Sequence, residues 1–247
     1  MSPTSRRRPV FEGDTKILFA GPEPGTLIQY FKDEFPSRIP SKENVIPGRG
    51  VINNRLSEFL MNGLQRMGVE NQFLKRLNMR EQLIQETEII PLEIQVRNMA
   101  YGVFAKHFSL LEGGYLPRPL VEYSYCEENE ETLLVNEEHL SLFDWVCPHE
   151  LEDMKAMALK ANYFLSGLFF GVGIDLAAVR FRFGRLWDDE DFSLVLADEV
   201  SADSCDLVIG ETLLYQDRSA EYYQAVANRL NLFSPSFSPS QGSSVFH

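Results

Sequence analysis

The stretch EIIPLEIQVRNM, from Glu88 to Met99, decides the fold. Within it Leu92, Ile94 and Val96 alternate with Glu93, Gln95 and Arg97. A period of two predicts a strand over residues 89–97, with one face on a core and the other free to present polar groups. Upstream, short strands are predicted at 73–77 and 82–85. Further back, residues 16–31 carry apolar runs around the turn Gly21-Pro22-Glu23-Pro24-Gly25, which predicts a β-hairpin. Between these lies a helical pattern over residues 51–67, with Leu56, Phe59, Leu60 and Leu64 on one face and Gly68 as its stop. Downstream, 115–125 reads as a strand interrupted by Pro117 and Pro119. The longest helix signal covers 148–170, where Leu151, Met154, Ala158, Ala161, Leu165 and Leu168 recur on one face. Two strands, 174–185 and 192–196, flank an acidic turn, and a last helix covers 217–232. The acidic run 127–138 reads as a solvated loop.

The 247 residues are enough for two lobes around a cleft, and 44% of them are apolar, which supplies a sizeable core. A net charge of −13 argues against a nucleic-acid partner, because phosphate backbones recruit Lys and Arg. It leaves room for a small phosphorylated ligand in a local basic pocket. No apolar run approaches the roughly 18 residues that a membrane helix needs, so no membrane partner is expected. The basic, polar start lacks the apolar core of a signal peptide. Cys126, Cys147 and Cys205 have no metal-binding spacing and fit reduced thiols in a cytoplasmic protein. None of His107, His139, His149 and His247 forms an HxxH or HExxH pattern, and no G-x-S-x-G marks a hydrolase.

Two features could carry chemistry. Glu12-Gly13-Asp14-Thr15-Lys16 is a glycine-containing turn leading into a strand. Backbone N–H groups and the Lys16 ammonium could cover phosphates there, although a plain turn has the same composition. Asp198-Glu199 follows the apolar run 194–197. Adjacent carboxylates at a strand end suit a hard cation such as Mg²⁺, and they equally suit a solvated strand terminus.

Several segments together carry a resemblance. KILFAGPEPGTLIQYFKDEF from Lys16, GRGVINNRLSEFL from Gly48 and FLKRLNMREQLI from Phe73 are followed by EIIPLEIQVRNMAYG from Glu88, FLSGLFFGVGIDL from Phe164, FGRLW from Phe183 and LADEVSADSC from Leu196. In this order they resemble the SAICAR synthase (phosphoribosylaminoimidazole-succinocarboxamide synthase) family of purine biosynthesis, in its alpha-proteobacterial form. The resemblance implies an α+β, two-lobed fold with antiparallel sheets, packed helices and ATP in the cleft between the lobes. It divides the chain into a disordered start (1–10), an N-terminal ATP-binding lobe (11–98), a C-terminal substrate and metal lobe (99–233) and a disordered tail (234–247). ATP and Mg²⁺ are the implied cofactors. By the same resemblance Lys16, Glu93 and Arg180 would bind the nucleotide, and Asp198 and Glu199 the metal. Arg97, Lys106 and Arg218 would hold substrate, with Arg180, Arg97 and Lys106 closest to the chemistry.

The departures from the family pattern concern charge. Asp14 stands in place of a lysine, Val103 and His107 in place of a serine and an arginine, and Cys126 in place of a lysine. Thr132-Leu133 replaces an Asp-Pro, Arg180 a lysine, Arg182 a glutamate and Asp206 an arginine. These changes lead to the expectation of a catalytically weakened or inactive paralogue with a binding or regulatory role, forming a homo-oligomer or pairing with an intact homologue. The alternatives are an active ligase joining carboxyaminoimidazole ribonucleotide to L-aspartate, and an ATP-dependent carboxylate–amine ligase with other substrates.

Overall fold

The alternation read over residues 89–97 becomes strand β6, Glu88–Met99, whose apolar face (Ile90, Leu92, Ile94, Val96) is buried in the main core. The computed structural model describes residues 7–35, 45–126, 132–188, 191–210, 212–213 and 219–233. The expected C-terminal tail, Arg218 and part of the acidic run lie outside them.

Two antiparallel sheets build the molecule. The first contains β1 (Pro9–Glu12), β2 (Lys16–Ala20), β3 (Thr26–Phe31), β4 (Phe73–Arg76) and β5 (Glu81–Gln85), in the order β1-β2-β3-β5-β4. The hairpin expected at 16–31 is the β2–β3 pair. Helix α1 (Arg49–Arg66) packs on this sheet and turns Leu56, Leu60, Met61 and Leu64 into the core. The second sheet runs β12-β11-β9-β6-β7-β8, with β10 added on β9. Its strands are β6, β7 (Tyr115–Tyr125), β8 (Leu133–Val135), β9 (Asp175–Asp188), β10 (Asp191–Ala197), β11 (Cys205–Ile209) and β12 (Thr212–Leu213). The change of sheet falls between Gln85 and Glu88, so β6 hydrogen-bonds wholly within the second sheet. Pro117 and Pro119 are tolerated in β7 because β8 pairs only its last three residues, leaving the proline-bearing part without a strand neighbour on that side among the described residues.

Helix α4 (Pro148–Phe170) covers the second sheet. Pro148 supplies a preset φ at the first turn, and the Cys147 thiol accepts from Glu150 N while Glu150 reaches back to Cys147 N. Ala158 and Ala161 on its buried face let the helix approach the strands closely. Phe169, rather than the expected Leu168, completes the fully buried stripe. Helix α2 (Gly102–His107) follows β6, and α5 (Ala220–Arg229) packs against α1.

Two expectations are corrected. The disordered start was placed at 1–10, yet Pro9 and Val10 belong to β1, which pairs β2 and covers its otherwise bare edge. The solvated loop expected over 127–138 contains β8 and the start of helix α3 (Glu137–Leu142). The Asn136 side chain caps α3 by accepting from His139 N at 3.1 Å, which turns an acidic run into a helix N-terminus that favours acid. Among the described residues no helix is long and apolar enough to cross a membrane.

Where α1 meets the first sheet, Gly50 is set by close approach. A Cβ there would stand 2.4 Å from Phe31 O and 2.9 Å from Lys32 O. Helix propensity alone favours Ala over Gly by about 1 kcal/mol. The backbone contact decides the sign, so Gly50→Ala is expected to lower stability by about 1–3 kcal/mol in urea denaturation. A gain in stability would show that α1 does not dock this closely.

Candidate functional site

One edge of β9 serves two partners in turn. β11 pairs it over residues 175–179, and β10 pairs it over 182–188. Between them Arg180 N donates to Ser204 O at 2.9 Å. The end of β10 stays in register with β9 through Ala197 and meets the first lobe along its other edge: Leu196 N donates to Glu70 O at 2.9 Å, and Gln72 N to Leu196 O at 3.1 Å. The loop that returns from β10 to β11 carries Asp198, Glu199 and Asp203 into the opening. Asp198 has φ 61°, a left-handed conformation that Asp adopts more readily than most non-glycine residues.

A cleft of about 510 Å³ occupies this opening. The turn 12–16 between β1 and β2 forms its upper wall, closed by Gly13 N donating to Lys16 O at 3.0 Å. Lys16 Nζ donates to the Asp198 carboxylate, and to Glu199 Oε2 at 3.0 Å. Gln29 Nε2 reaches the same Glu199 oxygen at 2.8 Å. These contacts tie the first sheet to the 198–204 loop of the second.

The lower wall is the polar face of β6 and β9, where Glu93 lies opposite Arg182 and Gln95 opposite Arg180. Burial pushes the Glu93 carboxyl up, and the nearby Arg180 and Arg182 only partly oppose this. Burial works most strongly against the Arg180 charge, but the Asp206 carboxylate, helped by Glu93, turns the balance and holds the guanidinium above its ordinary range.

Beneath the loop, Arg49 is 1% exposed. Its guanidinium donates to Lys32 O at 3.0 Å, Glu34 O at 2.8 Å, the Tyr223 hydroxyl at 3.2 Å and the Asp203 carboxylate. Asp203 also accepts from Asn53 Nδ2 and the Tyr223 hydroxyl, both at 2.6 Å. A buried charge is tolerated only when paired this fully. The network fixes the base of the 198–204 loop against α1 and α5.

The structure brings Lys16, Glu93, Arg180, Asp198 and Glu199 together on this cleft. Arg97 and Lys106 do not line it. Arg97 lies further along the same face of β6, bound to Glu122 Oε2 at 2.9 Å and stacked 4.6 Å from the Phe104 ring centre. Lys106 is exposed on α2. The sequence reading missed Asp203, Gln29 and Arg49. Arg49 left one signal: a cation in the first turn of a helix, where the helix dipole disfavours it, needs a specific anion.

Among the described residues no three His, Cys, Asp or Glu side chains are arranged to hold a metal ion alone. The donor chemistry still fits Mg²⁺. That ion takes one or two carboxylates and completes its shell with water and phosphate oxygens, and Asp198 and Glu199 are such hard donors at the cleft mouth.

The raised Glu93 pKa has a defined effect on stability. The native state binds this proton more tightly than the unfolded chain, so an unfavourable contribution develops as pH rises past the ordinary value of 4.5. The stability of Glu93→Gln relative to wild type is therefore expected to increase between pH 4.5 and 8 in urea denaturation. A decrease over that range would contradict the burial argument.

A SAICAR synthetase family model matches residues 9–223. The phosphoribosylaminoimidazole-succinocarboxamide synthase of Gluconacetobacter diazotrophicus is 49% identical over 237 residues, covering 92% of this chain and 93% of that protein. The synthase of the same name from Sinorhizobium fredii is 46% identical over 244 residues, covering 95% and 96%. The crystal structure of the Ehrlichia chaffeensis synthase superposes with a TM-score of 0.82 at 38% identity, over 92% of this chain and 100% of that one. A SAICAR synthetase in complex with ADP gives 0.79 at 25% identity, over 92% and 99%. The expectation of an inactive paralogue is corrected by these relatives, whose similarity runs along almost the whole chain and supports an active enzyme. The structure supplies a physical reason for reading the departures differently. Arg182 for a glutamate and Asp206 for an arginine exchange sign on neighbouring strands and leave their summed charge unchanged, while Arg180 keeps its cation. The chain belongs to the SAICAR synthetase family.

Proposed function

We propose that this chain is an ATP-dependent ligase that joins the carboxylate of carboxyaminoimidazole ribonucleotide to the amine of L-aspartate, yielding SAICAR, ADP and phosphate. The observation that carries the reading is the cross-sheet cluster of Lys16, Asp198 and Glu199 at the mouth of a cleft, in a chain that resembles an ADP-binding family member over 92% of its length. Six carboxylates (Glu12, Asp14, Glu93, Asp198, Glu199, Asp203) and three cations (Lys16, Arg180, Arg182) line that cleft. Such a wall repels a bare polyphosphate and accepts one that arrives with a divalent cation.

In this reading Asp198 and Glu199 hold Mg²⁺, which when bound neutralises the polyphosphate and polarises the transferred phosphoryl group. Lys16 then exchanges its carboxylate partners for phosphate oxygens, and backbone N–H groups of the 12–16 turn cover them. Arg180 presents a fixed donor to one oxygen of the metal-complexed polyphosphate. The substrate carboxylate attacks the terminal phosphorus and ADP departs. The aspartate amine then attacks the resulting acyl phosphate and releases phosphate. Most of the required catalysis is positioning and charge stabilisation, which a rigid cleft supplies.

The test is ADP release by purified protein given ATP, Mg²⁺, L-aspartate and carboxyaminoimidazole ribonucleotide. Release that depends on both co-substrates is expected, and Asp198→Asn should lower kcat by about 10²–10³. ADP release no greater than in the absence of enzyme would overturn the reading.

A further inference from the structure

Two carboxylates act on Arg180, and only one of them faces the cleft. Glu93 lines it; Asp206 does not, and lies behind the guanidinium on β11 with 7% of its surface exposed. Asp206 takes both terminal nitrogens, with Nη2 to Oδ1 at 2.9 Å and Nη1 to Oδ2 at 3.2 Å. The other terminal N–H groups go to Asp203 O at 3.1 Å, from Nη2, and to Gln95 Oε1 at 3.5 Å, from Nη1. A guanidinium has five N–H donors in a fixed plane. Among the described residues these four contacts leave only the Nε–H without a partner.

We infer that Asp206 is a positioning and specificity-determining residue that acts through Arg180, locking its orientation and limiting the site's affinity for bare anions. The inference rests on the cleft being the ligase site and deepens that reading by naming the ligand class this arrangement favours. A free phosphate or carboxylate gains most from Arg when it takes two parallel N–H bonds, and here both prongs are already engaged. A ligand that needs one anionic oxygen at Arg180 and draws the rest of its neutralisation from a divalent cation loses nothing. Asp206 thus selects metal-complexed polyphosphate over uncomplexed anions. Strand pairing makes the lock rigid. Asp206 sits opposite Ala178 in the β9–β11 ladder, and Arg180 lies two residues further along the same face of β9.

Calorimetry with inorganic pyrophosphate in the absence of divalent cations tests this without requiring turnover, so its outcome is separate from that of the ADP-release assay. Asp206→Asn keeps the shape and removes the charge, and should bind pyrophosphate about tenfold more tightly than wild type. In the ligase assay the same variant should show a lower kcat, because orientation is lost, together with stronger inhibition by pyrophosphate, because affinity for bare anions rises. Arg180→Gln should weaken pyrophosphate binding by about tenfold, since the Asp206 charge is then uncompensated, and adding Asp206→Asn to it should restore binding to within about twofold of wild type. The double variant carries a neutral pair of similar shape, so the comparison holds even where the single Asp206 variant folds poorly. Equal pyrophosphate affinity in wild type and Asp206→Asn, or a double variant no better than Arg180→Gln alone, would overturn the inference.

Discussion

A strand edge can serve one neighbour at each position, and β9 has two claimants on the same edge. β11 takes its first part, to Val179, and β10 its last, from Arg182, so the edge changes hands at residues 180–181. β10 stays on β9 as far as Ala197 and uses its other edge to meet the segment around Glu70 and Gln72. The opening left behind is the cleft, and the loop that crosses it carries the carboxylates. The unpaired backbone at the division would be costly if it stayed dry and unmet. Arg180 N meets it by donating to Ser204 O. Site and sheet division are therefore one feature, and charged side chains collect there because the division exposes polar backbone and admits water.

The two sheets are held at this division by charge. Arg49 carries a buried guanidinium to the one place where two backbone carbonyls of the 32–34 segment, the Asp203 carboxylate and the Tyr223 hydroxyl converge. Burial and the Asp203 charge both push the Tyr223 hydroxyl up, so it remains a protonated donor to Asp203. Above this, Lys16 and Gln29 reach Asp198 and Glu199 from the first sheet. The Arg49 layer is buried and fully paired. The other joins Lys16 to carboxylates that line the open cleft.

Elements with a strong internal pattern were legible in the sequence. The alternation in β6 and the apolar stripe of α4 specify their own geometry, and Pro148 marks the start of α4 by its fixed φ. Elements that exist through pairing were not legible. β11 is five residues that become a strand because β9 offers them an edge, and β8 is three residues added to β7. The site divides in the same way. Lys16, Asp198 and Glu199 stood out as charges at strand ends. Arg49 and Asp203 are 154 residues apart, and no local pattern joins them. The charge departures at 182 and 206 read as losses along the chain. In the folded protein they lie on adjacent strands around Arg180, where their signs exchange.

The central claim is that the division of the second sheet forms a nucleotide site in which divalent cation and polyphosphate replace the contacts between Lys16 and the 198–199 carboxylates. Calorimetric titration of ATP, with and without Mg²⁺, tests it most directly. The account predicts saturable binding at one site per chain that requires Mg²⁺ and weakens sharply in Lys16→Gln. Binding that is absent, or that is indifferent to both Mg²⁺ and Lys16, would contradict it.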